Sequence, residues 1–133
     1  MSFPRTVLTF GTFDVFHVGH LRIVQRAAEY GDRLVVGVSA DALNFKKKSR
    51  YPVFSEDERT AIVSALKPVD EVFLEESLEL KRDYLLKYKA DVLVMGDDWE
   101  GRFDEFKDIC EVVYLPRTPA ISTTALIEKI SNT

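Results

Sequence analysis

Apolar residues in this chain fall into short continuous runs, separated by stretches where they recur every three or four positions, and the two patterns alternate. Thr6-Val7-Leu8-Thr9-Phe10 is β-branched and aromatic and stops at Gly11. Leu21, Val24, Ala27 and Ala28 follow at helical spacing until Gly31 ends the pattern. Leu34-Val35-Val36-Gly37-Val38 is nearly continuous in apolar residues, the mark of a strand buried on both faces. Ser55-Glu56-Asp57-Glu58 has the form of a capping box. Ser55 would accept from the amide of Glu58, and the Glu58 side chain would reach back to the amide of Ser55. The helix it opens carries Ile62, Ala65 and Leu66 on one face and leaves at Pro68. Glu71 to Leu74 predicts a third strand, Ser77 to Tyr88 a helix, Val92 to Met95 a fourth strand ending at Gly96, and Val112 to Leu115 a fifth ending at Pro116. Ser122 is placed to cap a last helix bearing Leu126, Ile127 and Ile130.

Strands and helices in alternation predict an α/β protein built on a parallel sheet. Right-handed crossovers make the natural topology a single Rossmann-like domain over residues 1–133, with a parallel five-stranded sheet and helices on both faces. Ligands of such folds gather at the carboxyl ends of the strands. A length of 133 residues suits one core. The net charge of −4 supplies no global attraction to nucleic acid or anionic membrane, and neither is expected as a partner. Cys110 is the one cysteine, which favours a reducing compartment. No signal-peptide pattern and no membrane-length apolar run occurs, so the expected location is the cytoplasm.

Chemistry concentrates in the loops that follow strands. The first, Gly11-Thr12-Phe13-Asp14-Val15-Phe16-His17-Val18-Gly19-His20, leads into the first helix, whose free amides and positive dipole end suit an anion. His17 and His20 are the two histidines of the chain, and their spacing puts both rings on one side of a helical turn. Gly19 between them removes a side chain where a nucleotide would approach the backbone. The pair could be satisfied locally, could hold a metal, or could face phosphate. No cysteine or third histidine is near to complete a metal set, so phosphate is preferred and no metal site is expected. No G-x-G-x-x-G occurs, which argues against an ordinary dinucleotide enzyme.

After the fifth strand, Arg117 can grip a phosphate through two parallel hydrogen bonds, and Ser122, Thr123 and Thr124 offer hydroxyls and helix-start amides to the same anion. A plain Ser cap beside an exposed arginine is the alternative. Asp97, Asp98 and Trp99 follow Gly96 and read either as a turn with a partly buried anchor or as part of a pocket. Lys46-Lys47-Lys48-Ser49-Arg50 reads first as a solvated basic loop.

Gly11-Thr12-Phe13-Asp14, His17, Gly19 and His20 together resemble the signature of the cytidylyltransferase branch of the H-x-G-H nucleotidyltransferases. Arg117-Thr118-Pro119-Ala120-Ile121-Ser122-Thr123-Thr124 resembles that branch's R-T-x-G-I-S-T-T block, with Ala120 in place of the glycine. Met95-Gly96-Asp97-Asp98-Trp99-Glu100-Gly101 is similar to a loop of the bacterial glycerol-3-phosphate cytidylyltransferases. The resemblance implies CTP and glycerol 3-phosphate as substrates, Mg²⁺ carried with the triphosphate, and a homodimer. It implies catalytic roles for His17, His20, Lys47 and Arg117. For the nucleotide it implies Gly11, Thr12, Phe13, His17, Gly19, His20, Lys48, Asp97, Arg117, Thr118, Ile121, Ser122, Thr123 and Thr124. For the acceptor it implies Lys47, Lys81, Asp14 and Trp99. The register of the basic stretch stays open, because the loop before Ser55 is one residue longer than the family's. Lys47 or Lys48 takes the first family lysine position, and Ser49 or Arg50 the second. Arg59 matches a family arginine and is read as a supporting residue.

Rival readings are a relative acting on phosphocholine or phosphoethanolamine, one transferring AMP, and a nucleotide sensor without turnover. If Arg117 holds phosphate through its planar fork, Arg117→Lys keeps the charge and loses the geometry. The expected outcome is a raised KM for CTP in steady-state kinetics. Unchanged kinetics would remove Arg117 from the pocket.

Overall fold

The computed structural model describes residues 4–116 and 123–132. Five strands, β1 (Thr6–Gly11), β2 (Arg33–Ser39), β3 (Glu71–Glu75), β4 (Val92–Gly96) and β5 (Glu111–Leu115), form one parallel sheet in the order β3-β2-β1-β4-β5. The helices are α1 (Val18–Ala28), α2 (Asp41–Lys48), α3 (Glu56–Ser64), α4 (Lys81–Lys87) and α5 (Thr123–Ser131). The order reverses between β1 and β4, so the loops leaving these two strands diverge and open a crevice at their carboxyl ends.

Alternation along each central strand feeds two cores. Val7, Leu34, Val36, Val92 and Val94 face one side, where they pack with Val24 and Ala27 of α1 and Val63 of α3. Leu8, Phe10, Val35, Leu93 and Met95 face the other, against Leu85 of α4 and Phe103 and Phe106. Residues of both sets are buried, which is why these strands read as continuous apolar runs. At the amino ends, aspartates just ahead of strands fix the register. Asp91 accepts from the amide of Thr6 at 2.8 Å, and Asp70 from that of Leu34 at 2.8 Å.

The structure departs from the sequence reading in five places. The basic stretch lies largely in a helix, α2, whose last turn holds Lys46, Lys47 and Lys48 and whose cap, Ser49, is left-handed with φ 57°. Three lysines at a helix carboxyl end complement its dipole, a stabilisation that polarity alone did not reveal. In α3 the buried face is Arg59 and Val63, while Ile62 is 40% exposed and Ala65 lies at the surface. The cause is that a charged residue occupies the inner face. At its start, Ser55 accepts from the Glu58 amide at 3.3 Å, but the Glu58 carboxylate meets the Ser55 hydroxyl at 3.4 Å. The segment after Ser77 begins as a 3-10 turn, Leu78–Leu80, before α4, and Ile130 of α5 is exposed. Of the described residues, no helix is long and apolar enough to cross a membrane.

Gly37 stands between Phe10 of β1 and Phe73 of β3, each its register partner. Without a side chain there, the two rings meet across β2 edge to face, centroids 5.7 Å apart. A Cβ on Gly37 would come within 2.6 Å of Phe10 and 2.8 Å of Phe73. Gly37→Ala is therefore expected to cost about 1–3 kcal/mol by overpacking, measured by urea unfolding. A variant as stable as the parent would show that the rings move apart freely.

Candidate active site

Arg59 assembles the crevice. Its side chain is wholly buried, and its guanidinium donates to the carbonyls of Thr12 at 2.8 Å, Ser39 at 2.7 Å and Phe54 at 3.0 Å, and to the Asp41 carboxylate at 2.7 Å. These partners belong to the loop after β1, the end of β2, the segment before α3 and the start of α2. Asp14 adds a second clasp, accepting from the amides of Val53 at 2.7 Å and Phe54 at 2.9 Å. Between these anchors Phe13 and Val15 take left-handed backbone conformations, φ 55° and 47°. For a β-branched residue such as Val15 this costs on the order of 1–3 kcal/mol, and it persists where surrounding contacts over-determine it.

The strained loop delivers His17 to the start of α1. The Nδ1 of His17 accepts from the amide of Gly19 at 3.0 Å, and the Nδ1 of His20 accepts from the amide of His17 at 3.2 Å. Two histidines thus form the reciprocal capping box of this helix. An Nδ1 that accepts carries no proton, so each neutral ring holds its proton on Nε2. The rings stack with centroids 3.9 Å apart, and both Nε2 atoms lie 3.4 Å from the hydroxyl of Thr123, at the start of α5. That hydroxyl donates to the Asp14 carbonyl at 3.0 Å, leaving its lone pairs for the two Nε2–H groups. Burial among Phe13, Phe16 and His17 lowers the His20 pKa to about 4, with the His17 charge acting the same way and Asp14 opposing. Burial lowers that of His17 as well. The pair is a set of neutral donors at neutral pH.

Beside them lies a cavity of about 330 Å³ at the carboxyl ends of β1 and β4. Gly11, Thr12, Phe13, Asp14, His20, Lys48, Trp99, Thr123 and Thr124, all expected from the sequence, line it. His17 does not line it and stands behind His20 and Thr123, stacked on the one ring and 3.4 Å from the other's hydroxyl.

Several expected residues are engaged in other ways than the resemblance implies. Gly19 is buried within α1 and its amide serves the His17 ring, so its backbone is taken up by the helix cap. Asp14 commits both oxygens to the Val53 and Phe54 amides and acts as a clasp. Asp97 is exposed outside the cavity, and Asp98 lines it, because the 3-10 turn Asp97–Trp99 rotates the second aspartate inward. Lys47 turns away from Lys48 and donates to the Ser39 hydroxyl at 3.3 Å, bordering a separate hollow with Glu76 and Glu79. Lys81 is buried, its ammonium 3.0 Å from a Glu75 oxygen and over the rings of Phe10 and Phe103. Burial lowers the pKa of both lysines while Glu75 raises it. The two expected acceptor lysines therefore flank one buried carboxylate, with Phe10 between Lys81 and the cavity. Arg117, Thr118, Ile121 and Ser122 lie outside the described residues, as does Ala120.

The sequence reading missed Asn44 on the wall, named Asp98 only within a loop that could form part of a pocket, and left Arg50 open; the structure places Asp98 and Arg50 there with Lys48. Recognising α2 would have exposed the signal for Asn44, which sits one helical turn before Lys48. Of the carboxylates at the cavity, Asp14 is engaged, and no three His, Cys, Asp or Glu among the described residues gather as a metal cluster.

Comparison with known proteins bears on this arrangement. Residues 8–129 match the family model described as cytidylyltransferase-like. The chain is 46% identical over 127 residues to the glycerol-3-phosphate cytidylyltransferase of Bacillus subtilis (strain 168), covering 96% of this chain and 98% of that one. It is 42% identical to the enzyme of the same name from Staphylococcus aureus (strain NCTC 8325 / PS 47), covering 95% of each. The fold is similar to a lipopolysaccharide core biosynthesis protein from Thermoplasma volcanium GSS1, with TM-score 0.78 and 25% identity over 86% of this chain and 98% of the other.

The buried histidine has a measurable consequence. In the unfolded chain His20 takes up its proton near 6.5, and in the folded chain at about 4. Between those values the unfolded state binds the extra proton, so stability is full above pH 6.5 and falls as pH drops toward 4. His20→Gln keeps a capping-box side chain without the titration. Urea midpoints across this range should fall less steeply for the variant, and an equal slope would disprove the assignment.

Proposed function

The chain belongs to the cytidylyltransferase-like family, and from that premise we propose that it transfers CMP from CTP to glycerol 3-phosphate, yielding CDP-glycerol and pyrophosphate. A phosphate oxygen of the acceptor attacks the α-phosphorus of CTP. The new P–O bond forms as the bond from the α-phosphorus to the bridging oxygen breaks in line, and pyrophosphate leaves with the electron pair. No protein nucleophile enters, so the protein's contribution is positioning and charge stabilisation.

The observation that carries this reading is the histidine double cap. It fixes two neutral Nε2–H donors beside the cavity at a helix amino end, a donor set made for phosphate oxygens. The approach of both rings to the Thr123 hydroxyl, at 3.4 Å, supports the reception of those oxygens beside the start of α5. Lys48 and Arg50, which line the same cavity, offset the charge on the leaving pyrophosphate. Mg²⁺ bound to the triphosphate would supply charge neutralisation at its oxygens. This suits a wall that supplies Asp98 and an already engaged Asp14 rather than a cage of carboxylates. The reading includes a homodimer and a cytoplasmic location, as the resemblance implies.

Pyrophosphate release is expected to require CTP and Mg²⁺, with glycerol 3-phosphate preferred over phosphocholine and CTP over ATP. His17→Ala and His20→Ala are each expected to lower kcat by about 10²–10³ while circular dichroism shows folded protein. Faster turnover with another acceptor or with ATP would overturn the substrate assignment. Near-normal kcat in both folded variants would leave the histidines as caps alone.

A further inference from the structure

Asn44 is the least explained polar residue at the cavity. It sits inside α2, its own amide bonded to the Ala40 carbonyl at 3.0 Å, and only 3% of its surface is exposed. Its Oδ1 accepts from the Thr12 hydroxyl at 3.1 Å. Its side-chain nitrogen, with two N–H donors, has no partner among the described residues, yet Asn44 forms part of the cavity wall. That nitrogen is not among the buried atoms left without a partner, so it keeps access to the cavity, and asparagine is otherwise a poor interior helix residue. Holding Thr12 does not account for the choice, since a residue with a single acceptor would do as much.

The orientation of this amide is set from below. Arg59 binds the Asp41 carboxylate, Glu56 accepts from the Asp41 amide at 2.9 Å, and α2 is thereby fixed against the end of β2. Lys48 follows Asn44 by four positions and lines the same cavity, whereas Lys47 diverges to Ser39. One face of α2 thus presents a neutral donor and a cation together. His20, Thr123 and Thr124 line the same cavity. A ligand that meets these donors together is rich in acceptors, as a polyphosphate is.

We propose that the side-chain N–H of Asn44 is a substrate-binding donor to a non-bridging phosphate oxygen of the nucleotide, held in place by the Thr12 hydroxyl on its other end. This rests on the nucleotide-transfer reading above and adds a residue to it. Asn44→Asp keeps the size and the acceptor for Thr12 but replaces the donor with a carboxylate that repels phosphate. Thr12→Val removes the holding bond together with one hydroxyl on the cavity wall, while the Asn44 donor stays in place.

Titration calorimetry with CTP, and separately with inorganic pyrophosphate, is expected to show affinity for both weakened about 10- to 100-fold in Asn44→Asp, the span of a hydrogen bond to a charged group. The loss in Thr12→Val should be smaller, and the melting temperature of Asn44→Asp should stay near the parent's. Parent-like affinity in Asn44→Asp would overturn the proposal. So would equal losses in both variants, which would leave Asn44 a loop-holding residue. Loss of affinity together with a collapsed melting temperature calls for Asn44→Ser, whose parent-like pyrophosphate affinity in a folded protein would also overturn it. If the parent binds pyrophosphate but does not turn over CTP with glycerol 3-phosphate, the substrate reading fails while the pyrophosphate series still decides Asn44.

Discussion

The site depends on one buried guanidinium. Arg59 is enclosed in the protein, and its donors are spent on three carbonyls and one carboxylate from four separate segments. No apolar residue could replace it, because each of those carbonyls would then be buried without a donor. The arrangement also explains why α3 turns a charged residue inward and leaves Ile62 at the surface. The hydrophobic pattern yields locally to a polar junction on which the loop after β1, α2 and the segment before α3 all converge. Asp14 reinforces that junction from the loop side, and the left-handed Phe13 and Val15 are held between the two.

The same economy appears at the start of α1, where the two histidines cap the helix and serve the cavity at once. Capping uses the Nδ1 atoms and thereby fixes the protons on Nε2. Stacking and enclosure by phenylalanine rings keep His20 neutral, so the donor is present without a charge that the buried loop would have to solvate. Structural and chemical roles are thus carried by different atoms of one ring. Positive charge is supplied instead by Lys48 and Arg50 on the open wall, where water can reach them.

The basic cluster is divided by helix geometry. Neighbouring residues of α2 point about 100° apart, so Lys47 goes to Ser39 and the Glu75–Lys81 pair while Lys48 goes to the cavity. The left-handed Ser49 then turns the chain so that Arg50 joins Lys48. Phe45 and Tyr51 stack across this turn with centroids 4.7 Å apart, which ties the exit of α2 to the helix it leaves.

Much of this protein was legible in the chain. Apolar runs such as Leu34 to Val38 and the helical spacing of Val24 and Ala27 are signals carried within each segment, and they revealed the five strands and most of the helices, though not α2 or the order of strands across the sheet. The Gly11–His20 loop and its histidines were legible too, because their spacing is short enough to lie on one turn. What the sequence could not determine are directions and partnerships set by residues far along the chain. The choice of Asp98 over Asp97, the separation of Lys47 from Lys48, the burial of Lys81 against Glu75 and the placement of Asn44 against Thr12 are of this kind. Each depends on how one element is anchored to another, as Arg59 anchors α2 to the end of β2. Periodicity within a segment records which residues are buried. Only the contacts between segments decide what a buried polar group faces.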